Sequence, residues 1–342
     1  MSTANKKKLP FVSICTPTFN RRPFIPFMIK CFEHQTYPKD KMEWIIVDDG
    51  FDPVGDLVAH LPHVKYYRYE TKMTLGKKRN VMNSKASGSM LVYMDDDDYY
   101  PPERVMHAVE TLLANPKALC AGTSEMHVYF KHIQRMYQFG PYSPNHSTAA
   151  TFAFRRELLS QTKYDETSCL AEERVFLKEY TIPFVQLEPC KSILVISHAH
   201  NSFDKRTLLD EPNQFVNVST KTVDCFIREP EMIQFYMNDV DSLLALYDPG
   251  SPIHKKDVND QIILLKEERE KMMLDQQNSV MFKFEMQLRQ ELQTQLQQCV
   301  YHYEQKLAEK TRLVGEVLKR NKELTIKVAE LELRLSKKIE IL

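Results

Sequence analysis

Glycine is scarce in this sequence, since the 342 residues contain only eight. No two of them form G-x-G-x-x-G, the motif whose turn holds a dinucleotide. Gly50 and Gly55 have the outer spacing of the phosphate loop G-x-x-x-x-G-K-[ST], but Asp56 follows where that loop needs lysine. Dinucleotide-binding and Walker-type phosphate loops are therefore excluded at the level of motif.

The sequence also lacks paired cysteines and long apolar runs. Its seven cysteines are scattered and write no C-x-x-C, so neither a disulfide framework nor a cysteine zinc site is predicted, and a reducing compartment is expected. Residues 1–10 are polar and precede no apolar run of signal-peptide length. No stretch approaches the roughly 18 apolar residues of a membrane span. We therefore expect a soluble, cytoplasmic protein without a signal peptide or transmembrane segment.

Positive and negative charges cancel. Lys and Arg number 46, as do Asp and Glu, so no global field attracts a polyanion and no nucleic-acid partner is predicted. A composition of 43% hydrophobic and 27% charged residues is that of an ordinary soluble protein. The length predicts about two domains.

Short apolar runs alternate with amphipathic stretches over roughly residues 11–130, a pattern typical of repeated β-α units. The predicted strands are Phe11–Thr16, Glu43–Val47, Val64–Tyr69 and Met90–Met94, and the predicted helices begin at Pro23 and cover Lys77–Ser87 and Glu103–Asn115. The pattern predicts an α/β domain with a mostly parallel sheet flanked by helices. Residues 118–202 are expected to add mixed strands and helices at the sheet edge.

A coiled-coil pattern follows the turn-forming residues Asp248–Pro252. With Leu307 at an a position, apolar residues fill most a and d positions over about six heptads, although Lys310 and Lys338 interrupt d. Asn321 at a is a polar residue of the kind that fixes register and oligomer number. A single long helix folded back on the α/β domain is the alternative. The predicted regions are an α/β domain over 1–205, a helical extension and linker over 206–252, and a helical coiled-coil oligomerisation region over 253–342.

The strongest chemical signal is the run Asp95–Asp98 at the end of an apolar strand. Neighbouring carboxylates repel one another unless a cation or basic side chains neutralise them. Ligands of open parallel sheets bind at the carboxyl ends of strands, which is where this run lies. Hard oxygen donors on a short loop suit Mg²⁺ or Mn²⁺. A solvated acidic turn is the alternative.

Two further charged elements are predicted at the same sheet edge. Asp48 and Asp49 follow the strand Trp44–Val47, where a turn or helix cap would also explain the pair. The basic run Gly76–Asn80 lies at a predicted helix start, and a helix N-terminus with Lys and Arg is a site for a diphosphate. A solvated helix face is the alternative there.

Two histidines occur late in the sequence. The predicted strand Ser192–Ser197 ends in His198-Ala199-His200, and because two residues that are two apart on a strand share a face, both histidine side chains are expected on one face. Neutral imidazole is a competent ligand for Mn²⁺. A structural histidine satisfied by its neighbours is an equally good explanation for either.

Over roughly residues 10–205 the sequence closely resembles the inverting, nucleotide-sugar-dependent family 2 glycosyltransferases of GT-A fold. Four motifs in sequence order carry the resemblance, namely Val12–Arg21, Trp44–Gly50, Gly76–Asn80 and Tyr93–Asp98 followed by Pro102-Glu103-Arg104. Each would be weak singly, but their order makes them specific.

The resemblance implies donor-binding roles for residues in these motifs. The turn that holds the nucleotide base corresponds to Pro17, Phe19 and Asn20, and Asp49 would hydrogen-bond the base. Lys78 and Arg79 would then lie in the base or diphosphate region.

The family's D-x-D element falls on Asp95 and Asp97, which implies Asp96 near the ribose and Asp97 on the metal. Because the run contains four aspartates, the register is able to slip by one residue. Asp95 and Asp98 are therefore alternative ligands.

The family also has a catalytic carboxylate at a helix start, a place occupied here by Glu172 and Glu173. Glu173 stands where aspartate is usual, so either glutamate is a candidate for the base that takes the proton of an acceptor hydroxyl. A glutamate that stabilises a helix dipole is the alternative. In several GT-A enzymes a late histidine completes the metal shell, a role that His198 or His200 would fill.

The implied activity is metal-dependent transfer of a sugar from a nucleotide diphosphate sugar, with UDP as the expected nucleotide and Mn²⁺ or Mg²⁺ as the ion. The acceptor is a hydroxyl of a glycan, lipid or protein, and the transfer inverts the anomeric centre. A homo-oligomer is expected through the C-terminal coiled coil. One alternative is a coiled-coil scaffold with an inactive GT-A head. Another is a sugar-nucleotide pyrophosphorylase, but such enzymes normally need a glycine-rich loop that Pro17–Asn20 does not provide.

Overall fold

The computed structural model describes residues 9–339, which form eleven β-strands. The strands are β1 (Val12–Thr18), β2 (Met42–Asp48), β3 (Val64–Arg68), β4 (Met90–Tyr93), β5 (Cys120–Gly122), β6 (Met126–Phe130), β7 (Arg135–Phe139), β8 (Ala153–Arg155), β9 (Phe184–Gln186), β10 (Val195–Ser197) and β11 (Val216–Val218).

Seven of these strands form the main sheet, in the order β3-β2-β1-β4-β8-β5-β9. Neighbouring strands are parallel except at β8, which runs antiparallel to both β4 and β5. The predicted α/β class is confirmed.

The same residues form eight α-helices. They are α1 (Ile25–His34), α2 (Gly55–Val58), α3 (Leu75–Lys85), α4 (Arg104–Ala114), α5 (Glu173–Phe176), α6 (Pro230–Ile233), α7 (Val240–Ala245) and α8 (Lys256–Ile339). Helix α3 begins two residues before the predicted start because Thr74 caps it, its hydroxyl accepting a hydrogen bond from the Lys77 N–H at 3.4 Å.

The continuous apolar run of β2 is explained by cover on both faces of the sheet. Trp44 and Ile46 belong to one buried cluster, and Ile45 and Val47 belong to the other. Each side chain is fully buried, and burial of one such side chain stabilises the fold by about 1.5–3 kcal/mol. The two clusters together fix β2 in the middle of the fold, so that the loop after it has a fixed position.

A second sheet, in the order β10-β6-β7-β11, was not expected, because residues 118–202 were predicted to extend the edge of the main sheet. Only β5, β8 and β9 of that stretch join the main sheet. The loop after β4 is joined to the residue just before β10 by the backbone hydrogen bond from Tyr99 N to Leu194 O at 3.1 Å. The second sheet thereby brings the chain that follows Ser197 to the aspartate run.

The chain divides into two units between Leu264 and Leu265, whereas the predicted division at 205 and 252 stays a prediction. In the second unit, residues 265–339 continue α8, and its apolar seam has no partner there, with Leu307 67% and Leu324 54% exposed. The long helix is confirmed and the coiled coil stays a prediction. No helix within residues 9–339 combines the length and apolar character needed to cross a membrane. The N-terminal residues 1–8, the Lys338 side chain and the heptad position Leu342 lie outside the described part of the chain.

Candidate functional site

The loops that follow β1, β2 and β4 meet at one edge of the main sheet. In the parallel register Thr18 lies beside Asp48, so β1 and β2 end together, whereas β4 ends at Tyr93 beside Cys15, before the end of β1. The Thr16 hydroxyl donates to Met94 O at 2.7 Å and fixes the chain just before the aspartate run. The topology thus brings the first, second and fourth predicted motifs to one edge.

The turn after β1 packs directly against the loop after β2. Asn20 has a left-handed φ of 53°, and its side-chain oxygen accepts a hydrogen bond from Asp52 N at 3.1 Å. A Cβ atom at Gly50 would lie 2.5 Å from the Asn20 backbone nitrogen, so this approach requires glycine. The rings of Phe19 and Phe51 meet edge to face with centroids 6.3 Å apart, and Phe51 is 58% exposed. These two rings offer an accessible aromatic surface to a flat ligand ring.

Asp48 and Asp49 have different tasks although they are adjacent. Asp48 accepts three hydrogen bonds that shape its own loop, from Gly50 N, Val54 N and Tyr66 Oη. Asp49 accepts from Met73 N at 2.6 Å and is paired with Lys78. Asp48 is therefore structural, whereas Asp49 lies between a basic side chain and a backbone donor.

Two basic residues of α3, Lys78 and Arg79, are buried in the protein. The ammonium of Lys78 donates to Thr18 O at 3.0 Å. Arg79 Nε donates to Glu172 Oε1 at 2.6 Å, and its terminal nitrogens lie 3.3 Å from the two carboxylate oxygens of Asp95. Burial opposes the charge of Arg79, but Asp95 and Glu172 overcome it and hold the pKa of Arg79 above its usual range. The solvated helix face considered above is therefore wrong for these two residues.

The aspartates of the run differ in their surroundings. Arg21 Nε lies 3.4 Å from Asp96 Oδ1, and Arg21 Nη2 lies 3.1 Å from Asp97 Oδ2. Burial opposes ionisation of Asp97, but Arg21 and His198 hold its pKa well below its usual range. Asp98 faces the second sheet, where it accepts from Ile196 N at 3.1 Å. Burial, followed by the charge of Asp97, raises the pKa of Asp98. Its contact with the second sheet makes Asp98 a structural group.

The two histidines do not share one face of a strand, because β10 ends at Ser197 and both lie in the turn beyond it. His198 Nε2 lies 3.2 Å from Asp97 Oδ2, and His198 Nδ1 accepts from His200 N at 3.1 Å. The His200 ring lies instead toward Tyr247, with centroids 6.4 Å apart. Burial lowers the pKa of His198 to about 3 and that of His200 to about 4. Both rings are therefore neutral, and His198 is the one beside the aspartate run.

A metal ion would find two protein donors at this edge. No group of three His, Cys, Asp or Glu side chains within residues 9–339 is arranged to enclose an ion. The nearest arrangement is the Asp97 carboxylate with the His198 imidazole, 3.2 Å apart. Ions that bind nucleotides need only one or two protein ligands, because phosphate oxygens and water complete the shell. Asp97, joined by His198 in the tautomer that leaves Nε2 unprotonated, would hold a divalent ion that binds together with a diphosphate.

The structure distinguishes the two candidate glutamates. Glu172 is 3% exposed and paired with Arg79. Glu173 is the first residue of α5 and half-buried, and no salt bridge to it is present among residues 9–339. Burial, followed by the charge of Glu172, raises the pKa of Glu173 to about 7. A carboxylate with such a pKa is matched to proton transfer near neutral pH.

Two basic residues at this edge were missed in the sequence. Arg21 Nη1 and Lys255 Nζ both donate to His200 O, at 2.8 and 2.9 Å, and Lys255 is 3% exposed. Arg21 follows the Pro17–Asn20 turn. A sequence signal for it exists, because the aspartate run needs a positive side chain nearby. Lys255 lies beyond the predicted linker, and nothing in the sequence marks it.

The first turns of α8 also contact this part of the molecule. Gln261 Oε1 accepts hydrogen bonds from Cys169 N at 2.6 Å and from Leu170 N at 3.1 Å. Asp257 pairs with Lys72. The start of the long helix thus holds the segment that leads into Glu172 and Glu173.

The sequence matches a known family over much of this region. Residues 13–177 match the family described as Glycosyl transferase family 2. A Haemophilus influenzae protein described as an uncharacterized glycosyltransferase is 30% identical over 106 residues, which are 31% of this chain and 35% of that protein. The Staphylococcus aureus poly(ribitol-phosphate) beta-N-acetylglucosaminyltransferase TarS is 28% identical over 109 residues, 28% of this chain and 18% of that protein. The chain thus spans between 18% and 35% of the length of these relatives.

Two solved structures are similar over about half of the chain. Residues 1–349 of S. aureus TarS in complex with UDP-GlcNAc align with 54% of this chain and 58% of that chain, at 21% identity and a TM-score of 0.45. The mannosyltransferase PcManGT from Pyrobaculum calidifontis, in complex with GDP-Man and Mn²⁺, aligns with 55% and 57%, at 18% identity and a TM-score of 0.45. The geometry of the site described above does not depend on either similarity.

Proposed function

The chain belongs to glycosyl transferase family 2 through residues 13–177, and from this we propose that it transfers a sugar from a nucleotide diphosphate donor to an acceptor hydroxyl. One observation supports the proposal above the others. The acidic residues of separate strands and loops converge on one sheet edge, where Lys78 pairs with Asp49, Arg79 joins Asp95 to Glu172, and Arg21 joins Asp96 to Asp97.

We assign the donor's base to the loops that follow β1 and β2. The rings of Phe19 and Phe51 supply a stacking surface. Asp49 accepts hydrogen bonds and its partner Lys78 donates them, and the edge of uracil carries an N–H donor between two carbonyl acceptors. This complementarity supports a UDP-sugar as the donor. Pro17 and Asn20 shape the turn that carries Phe19.

The diphosphate is assigned to the edge that carries Asp97. A divalent ion held there by Asp97 and His198 would neutralise charge that develops on the leaving diphosphate. Arg21 holds the Asp97 carboxylate in place through its 3.1 Å contact. We assign Asp96, which contacts the same guanidinium, to the ribose.

Glu173 is the proposed catalytic base. It takes the proton from the acceptor hydroxyl while that oxygen attacks the anomeric carbon on the face opposite the leaving diphosphate. A single displacement of this kind inverts the anomeric centre. Glu172 acts as a positioning residue, because it fixes Arg79 and its charge helps to raise the pKa of Glu173 to about 7.

Titration calorimetry with Mn²⁺ and a panel of nucleoside diphosphates tests this function. A folded sample that releases no nucleotide-dependent heat would support the alternative, a scaffold with an inactive head. A screen of donor hydrolysis across nucleotide sugars would then identify the donor. NMR of the product tests inversion, since a product with the donor's anomeric configuration contradicts a single displacement.

Self-association through α8 is the second part of the proposal. The exposed seam that contains Leu307 and Leu324 needs cover, and a second copy of the same heptad pattern supplies it. A homo-oligomerisation region over 253–342 therefore stays our proposal, as does the division into 1–205 and 206–252. The cytoplasmic location stays a prediction.

A further inference from the structure

Four aromatic side chains form a continuous row on the surface of the first unit. We call Phe215, Tyr142, His146 and Tyr180 the aromatic row. Their ring centroids are separated in that order by 5.1, 4.7 and 5.2 Å. Tyr142 is 38% exposed and the other three are half-buried. The sequence motifs that define the donor site include none of these residues.

The central loop of the aromatic row is held in place by polar contacts beneath it. Ser124 Oγ accepts hydrogen bonds from Tyr142 N at 2.8 Å and from Ser143 N at 3.2 Å. Gln186 Nε2 donates to Pro144 O at 2.7 Å and to His146 O at 3.0 Å. The loop is therefore ordered before any ligand arrives, which reduces the entropy lost on binding.

One end of the aromatic row follows the proposed base closely in the chain. Leu177 N donates to Glu173 O at 2.9 Å, which closes the short helix α5. The chain then passes through three successive left-handed residues, 178–180, with φ values of 48°, 55° and 61°. Such backbone is unfavourable outside glycine and persists where its surroundings require it. Here it directs the Tyr180 ring onto His146, and the charge of Glu173 contributes, after burial, to a raised pKa of the Tyr180 hydroxyl.

We propose that the aromatic row is the acceptor subsite and that the acceptor is a saccharide whose pyranose rings pack on it. This inference rests on the proposed function. Aromatic faces carry negative potential, which attracts the polarised C–H groups on the apolar face of a pyranose. Partly exposed apolar surface with a polar rim is typical of a ligand site.

The polar atoms of the aromatic row favour a saccharide over the other acceptor classes. Two phenol hydroxyls and an imidazole lie along its length, within reach of sugar hydroxyls. His146 Nδ1 already lies 3.4 Å from Ser124 Oγ, but an acyl chain would leave the phenol hydroxyls without hydrogen-bond partners, which disfavours it. A peptide acceptor would bring backbone N–H and C=O groups that flat ring faces do not satisfy.

The test compares Tyr142→Ala and Tyr142→Phe with the wild-type full-length protein. The matched control is Tyr301→Ala, which removes an exposed tyrosine of the second unit. Saturation-transfer NMR measures binding of a panel of short oligosaccharides, and steady-state assays measure transfer to the same panel, to a long-chain alcohol and to a serine-containing peptide. Donor hydrolysis by water is measured in parallel.

Tyr142→Ala is expected to raise the KM for the saccharide about tenfold, the effect of losing one aromatic contact, and to weaken its NMR signal. Donor hydrolysis is expected to stay at the wild-type rate. Tyr142→Phe keeps the ring but loses the hydroxyl, so its KM for the saccharide is expected to lie between those of wild type and Tyr142→Ala, whereas Tyr301→Ala is expected to behave as wild type. Transfer to the alcohol or peptide in preference to every saccharide would overturn the inference, as would an unchanged KM in Tyr142→Ala. Wild-type protein that neither binds nucleotide nor hydrolyses any donor would instead overturn the proposed function itself.

Discussion

Arg79 Nε donates a 2.6 Å hydrogen bond to Glu172 Oε1, so the glutamate next to the proposed base is committed to a buried ion pair. The same guanidinium reaches Asp95 at 3.3 Å. Glu173, one residue later, is half-buried and begins α5. Arg79 therefore distinguishes the two adjacent glutamates. It binds Glu172 and leaves Glu173 without an ion pair among the described residues.

Replacing Glu173 by glutamine is expected to abolish proton transfer and leave the donor site intact. We expect kcat to fall by about 10²–10⁴-fold, the usual contribution of a general base, with little change in the KM for the donor. Steady-state kinetics with the donor found by the hydrolysis screen measures both constants. A Glu173→Gln enzyme with wild-type kcat would exclude this residue as the base.

Glu172→Ala is expected to act on stability. It leaves the buried Arg79 with only Asp95 as a partner, and loss of one member of a buried pair lowers the free energy of unfolding by about 3 kcal/mol. Urea denaturation measures this change. The matched control is Glu179→Ala, which removes an exposed pair with Arg174 and should change stability by less than about 0.5 kcal/mol. Equal effects of the two substitutions would contradict the assignment of Glu172 as a structural partner of Arg79.

The raised pKa of Glu173 predicts a pH dependence of activity. A base must be unprotonated, so kcat/KM should fall as the pH drops below about 7, with the slope expected for one proton. The acidic limb is measured from pH 5 to 9 at saturating metal. If Glu173→Asp keeps measurable activity, its limb should move because the shorter side chain changes the burial that raises the pKa. A flat profile between pH 5.5 and 7.5 would argue against Glu173.

The same raised pKa predicts that ionised Glu173 destabilises the fold. Its folded pKa lies above the ordinary glutamate value, so the protonated form is favoured in the fold and stability is lost as the pH rises from about 4.5 to 7. Glu173→Gln should therefore stabilise the protein at pH 8 by about 1–2 kcal/mol, after allowance for solvent screening. The difference should vanish near pH 4. Thermal melts at both values measure it, and a variant less stable than wild type at pH 8 would contradict the prediction.

Asp97→Asn tests the metal and diphosphate edge. The amide keeps the shape of the side chain but loses the charge, so affinity for UDP in the presence of Mn²⁺ should fall at least about tenfold. Calorimetry measures the affinity, and Asp56→Asn, at a carboxylate 63% exposed and paired with Arg22, serves as the control. A thermal melt checks that Arg21 tolerates the loss of one partner. Unchanged affinity in a folded variant would remove Asp97 from the ligand set.

The sequence predicted the parts of the fold that depend on local pattern. The strands β1, β2 and β4 are recognisable because each is a short apolar run with both faces buried, and each ends at polar residues that break the pattern. The aspartate run and the Asp49 loop meet because parallel strands end at a common edge. The role of Asp98 was harder to predict, because the sequence of the aspartate run does not show which of its members faces the second sheet.

The remaining contacts depend on residues that are far apart in the chain. Arg21 meets the carbonyl of His200 across 179 positions, and Lys255 reaches the same atom from the start of α8. Such pairs are set by tertiary packing and leave no periodic signal. The histidine turn was wrongly predicted as strand because the β-branched run before it gives no indication that pairing stops at Ser197. The aromatic row was missed for the same reason, since its members come from three separate loops.

Gln261 has a practical consequence for anyone who shortens this protein. Its amide oxygen fastens the backbone of Cys169 and Leu170, a few residues ahead of the glutamate pair. A truncation at Pro252 would remove these hydrogen bonds. A lower turnover would then reflect a less ordered loop before Glu172 as well as the loss of any oligomer. A chain that ends after Leu264 keeps the Gln261 hydrogen bonds. Light scattering on that shorter chain and on the full chain then compares molecular mass with and without the heptad region, and nothing else differs.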